Sequence, residues 1–150
     1  MNKLTVHDSE PACVEDLSSG FCLSEFDAGT NRALAVRPRL QELNPSCHVE
    51  AFTGPLDRSV VSQYQVIVVT NTPLAKCSHL NDLCREQSPA TSFIRCENRG
   101  VFGAAFCDFG PEFTATDPDG ALLLDSFACN FRFPPSAYSI THADICLLCR

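Results

Sequence analysis

Several features that would indicate a particular class of protein are absent from this sequence of 150 residues. It contains no tryptophan and one methionine, and no apolar run approaches the ~20 residues that span a bilayer. Charged side chains occur too early after Met1 for the apolar region of a signal peptide. There is no phosphate-binding glycine loop, no Gly-x-Ser-x-Gly elbow and no His-Glu-x-x-His helix. We therefore expect a cytosolic domain without recognisable catalytic apparatus.

The balance of charge is acidic. Eighteen Asp and Glu side chains outnumber eleven Lys and Arg, which gives a net charge of −7 and an isoelectric point near 4.9. Such a surface repels phosphate backbones and anionic headgroups. Nucleic acid and membrane are therefore not expected as partners.

Cysteine, in contrast, is abundant, with ten residues. A chain of this length can bury a core without covalent staples, and no export signal precedes it, so we expect reduced thiols. Cys107 lies in an apolar run with no thiolate-stabilising partner nearby, which predicts a core position.

The pattern of apolar residues predicts alternating strands and helices. A β-branched run, 66–70, is typical of a strand covered on both faces. The predicted strands are 4–6, 48–52, 66–70, 93–94 and 101–109; the predicted helices start at Pro11 (Val14, Leu17, Phe21), at Ala33 (to Leu43, interrupted by Pro38) and after Pro73. This alternation indicates an α/β fold with a mostly parallel sheet.

One acidic residue, Asp8, directly follows the first predicted strand. An acid at such a position binds a ribose hydroxyl in dinucleotide-binding folds, but the glycine-rich turn that should accompany it is absent here. An independent Rossmann-type nucleotide-binding oxidoreductase domain therefore stays open as an alternative.

The composition changes near Gly120. Residues 121–150 are apolar and aromatic, with four charged side chains and the pair Cys146-x-x-Cys149. This pair has the spacing of half a zinc site, and His142 could supply a third ligand. A metal-binding module through the tail cysteines is a second alternative.

Five segments, in order, resemble one family. They are Leu4–Pro11, Asp16–Ser19, Asn31–Ala33 with Leu43–Pro45, Val68–Leu74, and Asn98–Gly103 with Phe106–Gly110. Together they resemble the N-terminal, inactive adenylation half of ubiquitin-activating enzymes over residues 3 to about 120.

The resemblance implies a ThiF-type, Rossmann-like sheet with helices on both faces, without the first strand and glycine-rich loop. In this family an active half adenylates ubiquitin or a related modifier with ATP and magnesium, and an inactive half supports it. The expected partners are thus the active half and the modifier, in the cytoplasm and also the nucleus.

The family's ATP-site motifs are only partly retained. Asp8 and Glu10 match an Asp-x-Asp motif in part, and Arg32 stands where the active half has a phosphate-binding lysine. Serines 18 and 19 replace the ATP-contacting Asn and Arg, and residues 71–77 contain no magnesium-binding carboxylate. We therefore expect vestigial cofactor positions (Asp8, Glu10, Arg32), no catalytic or metal-ligating residue, and no cofactor bound by this chain alone.

The resemblance divides the chain into residues 1–120, a partial adenylation domain, and 121–150, a divergent tail expected to be poorly ordered. Without its first strand the centre of the sheet should be open, with unpaired backbone groups. This predicts a truncated fragment that is poorly stable alone or needs a partner.

Overall fold

Six strands form one sheet in the computed structural model, which describes residues 3–111 and 146–149. The strands are β1 (Lys3–His7), β2 (His48–Phe52), β3 (Val66–Thr70), β4 (Ser92–Arg99), β5 (Phe102–Asp108) and β6 (Cys146–Cys149). Their order across the sheet is β2-β1-β6-β3-β4-β5. Strands β1 to β4 run in one direction, whereas β5 and β6 oppose it. The mostly parallel α/β sheet is therefore confirmed.

Three α-helices connect the parallel strands: α1 (Arg32–Leu43), α2 (Arg58–Val61) and α3 (Leu74–Arg85). Helix α1 contains Pro38 and continues to Leu43, where the predicted helix also ends. The predicted helix after Pro11 is wrong, because that region forms only a short 3-10 helix, Val14–Ser18. Phe21, which was expected on its apolar face, is exposed, so no core contact extends this turn into a longer helix.

The described residues contain two separate apolar cores. The first lies between α1 and the pair β1–β2, and consists of Val6, Ala33, Val36 and Val49. The second lies between α2, α3 and the strands β3–β4, and consists of Val61, Tyr64, Ile67, Val69, Cys77, Leu80, Cys84 and Phe93. Each core belongs to one side of the sheet centre, so the two sides are built as separate blocks.

Strand β3 is covered more fully on one face than on the other. Ile67 and Val69 are buried against α2 and α3, whereas the alternating residues 66, 68 and 70 are only half-buried. Helix α1 packs on β1 and β2 instead. The expectation of a strand fully buried on both faces is therefore met on one face only.

The centre of the sheet is filled, which corrects the expectation of an open gap. Strand β6 lies between β1 and β3 and pairs antiparallel with both. An antiparallel strand can satisfy the free edges of two parallel neighbours as well as a parallel one can. The predicted boundary near residue 120 and residues 121–145 of the predicted tail lie outside the described residues, so the division of the chain stays a prediction.

The seven cysteines of residues 3–111 are thiols and form no disulfide. Cys47, Cys77 and Cys84 are buried, and burial raises the pKa of Cys84 to about 12. Cys107 is exposed, contrary to the prediction of a core position. It lies on β5, an edge strand that is mostly exposed. Within residues 3–111 and 146–149, no helix has the length and apolarity to cross a bilayer.

Candidate functional site at the carboxyl end of β1

The predicted cofactor positions converge where β1 ends. In open α/β sheets, ligands bind at the carboxyl ends of the strands, where the strand order reverses. Here that point lies between β1 and β3. Asp8 follows β1 directly, and its backbone amide still bonds to Phe52 of β2. Asp8 and Arg32 are brought together at this edge, whereas Glu10 is exposed to solvent.

The guanidinium of Arg32 lies between two buried carboxylates. Its Nε donates to Oδ2 of Asp8 over 2.7 Å, and its Nη2 donates to Oδ1 over 3.2 Å. Its Nη1 lies 3.3 and 3.4 Å from the carboxylate oxygens of Asp16. Arg32, Asp8 and Asp16 are 8%, 1% and 7% exposed. We call these three residues the Arg32 triad.

The backbone around the triad fixes its geometry. Asn31 caps α1 by accepting from Leu34, and its amide donates to the carbonyl of Asp8 over 2.9 Å. Asp8 also accepts from the backbone of Glu10, and Asp16 accepts from the backbone of Cys13, each over 2.9 Å. Each carboxylate is thus held by hydrogen bonds besides those from Arg32, as a buried charge requires.

The electrostatics of the triad favour the charged forms of Asp16 and Arg32. Desolvation by itself would raise the pKa of Asp16, but hydrogen bonds from Cys13 and the charge of Arg32 outweigh it and lower the pKa. For Arg32, desolvation works toward a lower pKa, and the contacts with Asp8 and Asp16 raise it overall. The guanidinium therefore offsets part of the negative charge of the two carboxylates, and the backbone amides that donate to them stabilise the rest.

A small cavity opens beside the triad, between β1 and β3. Its volume is about 70 Å³, and its lining includes Glu10, His7, Thr72 and Lys76. This cavity is therefore smaller than a typical small-molecule site, which measures roughly 300–1,000 Å³. The Nε2–H of His7 donates to the carbonyl oxygen of Gly54 over 2.7 Å, and burial lowers the pKa of its imidazole. Glu10 and Lys76 are the exposed charges at this edge.

The end of β3 carries amide and hydroxyl groups rather than carboxylates. Asn71 adopts a left-handed conformation, with φ of 50°, which asparagine tolerates better than most residues. Its side-chain oxygen accepts from the backbone of Asn98 over 3.0 Å. No cluster of three or more metal-ligating side chains occurs in the described part of the chain.

Of the tail cysteines, Cys146 lies at this edge, opposite His7 of β1 and Val69 of β3, whereas Cys149 lies at the other end of β6. Cys146 and Cys149 are the first and last residues of β6, and residues three apart in a strand belong to opposite faces of the sheet. His142 lies outside the described residues, and no observation here favours the metal-binding alternative.

Sequence reasoning missed two functional groupings. Asp16 was named only as the first residue of a family segment, yet it completes the triad; the Cys13-x-x-Asp16 capping pattern was its one local signal. Asp108 was noted only within a family segment. It accepts from Arg85 and Asn81 of α3 over 2.5 and 3.0 Å and so ties β5 to that helix.

Removal of Arg32 should destabilise the fold strongly. Arg32→Met leaves two buried carboxylates without their cation, which costs about 3–5 kcal/mol in other proteins. Arg58→Met is the matched control, because Arg58 pairs with Glu86 at an exposed site, where such pairs contribute about 0–1 kcal/mol. Urea unfolding measures both. Equal losses for the two variants would contradict the structural role of the triad.

Stability should decrease on acidification. Hydrogen bonds from Ser24 and then Arg39 lower the pKa of Asp27 from 3.8 to about 2. A carboxyl with a depressed folded-state pKa stabilises the native state above its unfolded-state pKa, and that contribution is lost as the pH falls from about 4 to about 2. Asp27→Asn should flatten this part of the pH profile in urea unfolding. A profile identical to that of the parent chain would refute the assignment.

The amino-acid sequence of the chain is similar to that of known enzymes. No protein-family model matches the chain. Over 120 residues, 80% of the chain, it is 47% identical to ubiquitin-activating enzyme E1 1 of Triticum aestivum. Over 123 residues it is 44% identical to ubiquitin-like modifier-activating enzyme 1 of Homo sapiens. The chain spans 11% of the length of each of these relatives.

Solved structures support the same fold. The crystal structure of E. coli MccB with MccA matches 64% of this chain and 30% of its own, with a TM-score of 0.54 and 17% identity. The structure of E. coli MccB alone matches with a TM-score of 0.53. This likeness confirms the ThiF-type, Rossmann-like fold expected from the sequence. Over four fifths of its own length the chain is thus 38–47% identical to plant enzymes, and it resembles a segment of ubiquitin-activating enzyme E1.

Proposed function

We propose that this chain is a fragment corresponding to the inactive adenylation half of a ubiquitin-activating enzyme, with a supporting rather than a catalytic role. The observation that carries the proposal is the Arg32 triad. Arg32 stands at the position of a phosphate-binding lysine, yet its guanidinium is buried and bonded to Asp8 and Asp16. A cation engaged in this way cannot also hold a phosphate without leaving both carboxylates unpaired.

The other expected ATP-site positions support the same interpretation. Asp8 is buried, and its carboxylate already accepts three hydrogen bonds, two from Arg32 and one from the backbone of Glu10, which leaves little acceptor capacity for a ribose. Serines 18 and 19 cannot make the bidentate, charged contacts of an arginine. The segment after β3 brings no carboxylate that could anchor magnesium.

In this proposal, ATP and magnesium act in the full-length enzyme and not on this chain alone. The partners of the chain are the active adenylation half and, through the full enzyme, ubiquitin or a ubiquitin-like modifier. The location is the cytoplasm, and also the nucleus. The acidic surface makes nucleic acid and membrane unsuitable partners. The oxidoreductase alternative gains no specific observation from the site.

A graft tests the supporting role. The 120 matching residues of the Triticum aestivum enzyme are replaced with those of this chain, and ubiquitin-dependent ATP–pyrophosphate exchange is measured. We expect the grafted enzyme to retain exchange, because its active half is unchanged and its support is homologous. This chain alone should show no exchange above a no-enzyme control.

Two controls make the test decisive. A graft with Arg58→Met changes only an exposed pair and should behave as the unmodified graft does. Robust exchange by the chain alone would refute the non-catalytic role. A graft that is folded by circular dichroism but has lost exchange would refute the supporting role.

A further inference from the structure

The sheet consists of two blocks that are joined at its centre by β6. The pair β2–β1 has its own core with α1, and β3–β4–β5 has its own core with α2 and α3. Between β1 and β3 the connecting ladders are those of β6, which pairs with both strands. One side-chain bond crosses between the blocks nearby, from the Tyr64 hydroxyl to Thr5 over 3.1 Å.

The register of β6 is complete on both sides. Leu147 lies opposite Val6 and Val68, and Leu148 lies opposite Thr5 and Ile67. The end residues of the strand, Cys146 and Cys149, are paired in the same way with β1 and with β3. Four residues of extended chain therefore satisfy the facing backbone groups of both blocks, which would otherwise be unpaired in the interior of a sheet.

The residues of β1 and β3 that face β6 favour an uncharged, apolar strand between them. The facing residues of β3, Val66 to Val69, are all β-branched, and Val6 of β1 is fully buried. The polar residues of β1 are already bonded, Thr5 to Tyr64 and His7 to Gly54. A charged side chain inserted here would therefore find no partner.

The position is also informative. Doubly wound sheets have the strand order 3-2-1-4-5, with a parallel first strand at the centre. The present sheet has the order β2-β1-β6-β3-β4, so β6 takes the place that the first strand has in that order. Unlike that first strand, β6 runs antiparallel to its neighbours. The same space thus accepts a strand from the other end of the sequence.

We propose that the space between β1 and β3 is a strand-binding site for a short, extended, apolar peptide segment, and that residues 146–149 of the same chain are its ligand. The segment then supplies the central strand of the sheet and holds the two blocks together. The recognition is mainly through the backbone, as in β-strand addition, so a separate peptide of the same sequence should bind the same site. This inference does not depend on the proposed function.

Proline substitution in the full chain tests the site. Leu148→Pro removes one ladder hydrogen bond and cannot sit in a central strand, whereas Leu148→Val keeps an apolar strand former as the matched control. Hydrogen exchange should show loss of protection at the amides of β1 and β3 in the proline variant only. Equal protection in the two variants would overturn the proposal.

Addition of a synthetic peptide covers the case in which the proline variant does not fold. A peptide of residues 143–150, added to the Leu148→Pro chain, should restore protection in β1 and β3; the same peptide carrying the proline should not. If neither peptide restores protection or cooperative unfolding, no strand-binding site exists and the proposal fails.

Disulfide formation tests the register and the direction. Position 4 lies opposite Cys149, whereas position 5 lies opposite Leu148. Under mild oxidation, Leu4→Cys should form an intramolecular disulfide with Cys149, identified by peptide mapping, and Thr5→Cys should not. A cross-link from position 4 to Cys146 instead would show a parallel strand, and one between two chains would show a strand exchanged between copies. Either result would overturn the intramolecular assignment.

Discussion

The buried guanidinium of Arg32 is the interaction on which the carboxyl edge of the sheet depends. An arginine removed from water must be surrounded by anionic acceptors, and here Asp8 comes from the end of β1 and Asp16 from the 3-10 helix. Since Arg32 itself begins α1, one side chain joins three elements. These contacts fix the conformation of the segment between β1 and α1, and the side-chain amide of Asn31 donates to the carbonyl of Asp8 as a further tie.

A second constraint acts at the centre of the sheet. Two blocks with separate cores have facing strand edges, and backbone groups in a sheet interior require partners. Strand β6 supplies them. The two constraints are independent, because the triad lies within the β1–α1 block whereas β6 connects that block to the other. The Arg32 triad therefore does not depend on which segment of chain forms the central strand.

Local patterns in the sequence are sufficient to predict much of this structure. The β-branched run predicts β3, and the apolar stripes predict α1 and α3, because each signal lies within a few residues. The family resemblance adds the fold type and the vestigial positions Asp8 and Arg32. The direct bond between these two could not be predicted from local pattern, since 24 positions separate them.

The remaining misses have the same physical origin. Strand β6 pairs with residues more than 70 positions away, and four apolar residues indicate no partner by themselves. The region after Pro11 has helical spacing, but Val14 and Phe21 of the predicted apolar face are exposed and belong to neither core of the described residues. Cys107 has an apolar sequence context, but its place on an edge strand exposes it. Each outcome depends on tertiary contacts.

The central claim is that the residues at the expected nucleotide positions stabilise the fold and bind no nucleotide. The most direct test is a titration of the isotope-labelled full chain with magnesium and ATP, observed by NMR at the backbone amides of Asp8, Glu10 and Arg32 and at the Arg32 Nε–H. The account predicts unchanged resonances at a large excess of ATP, with the Arg32 Nε–H still protected from exchange. Saturable shifts centred on these residues would contradict it.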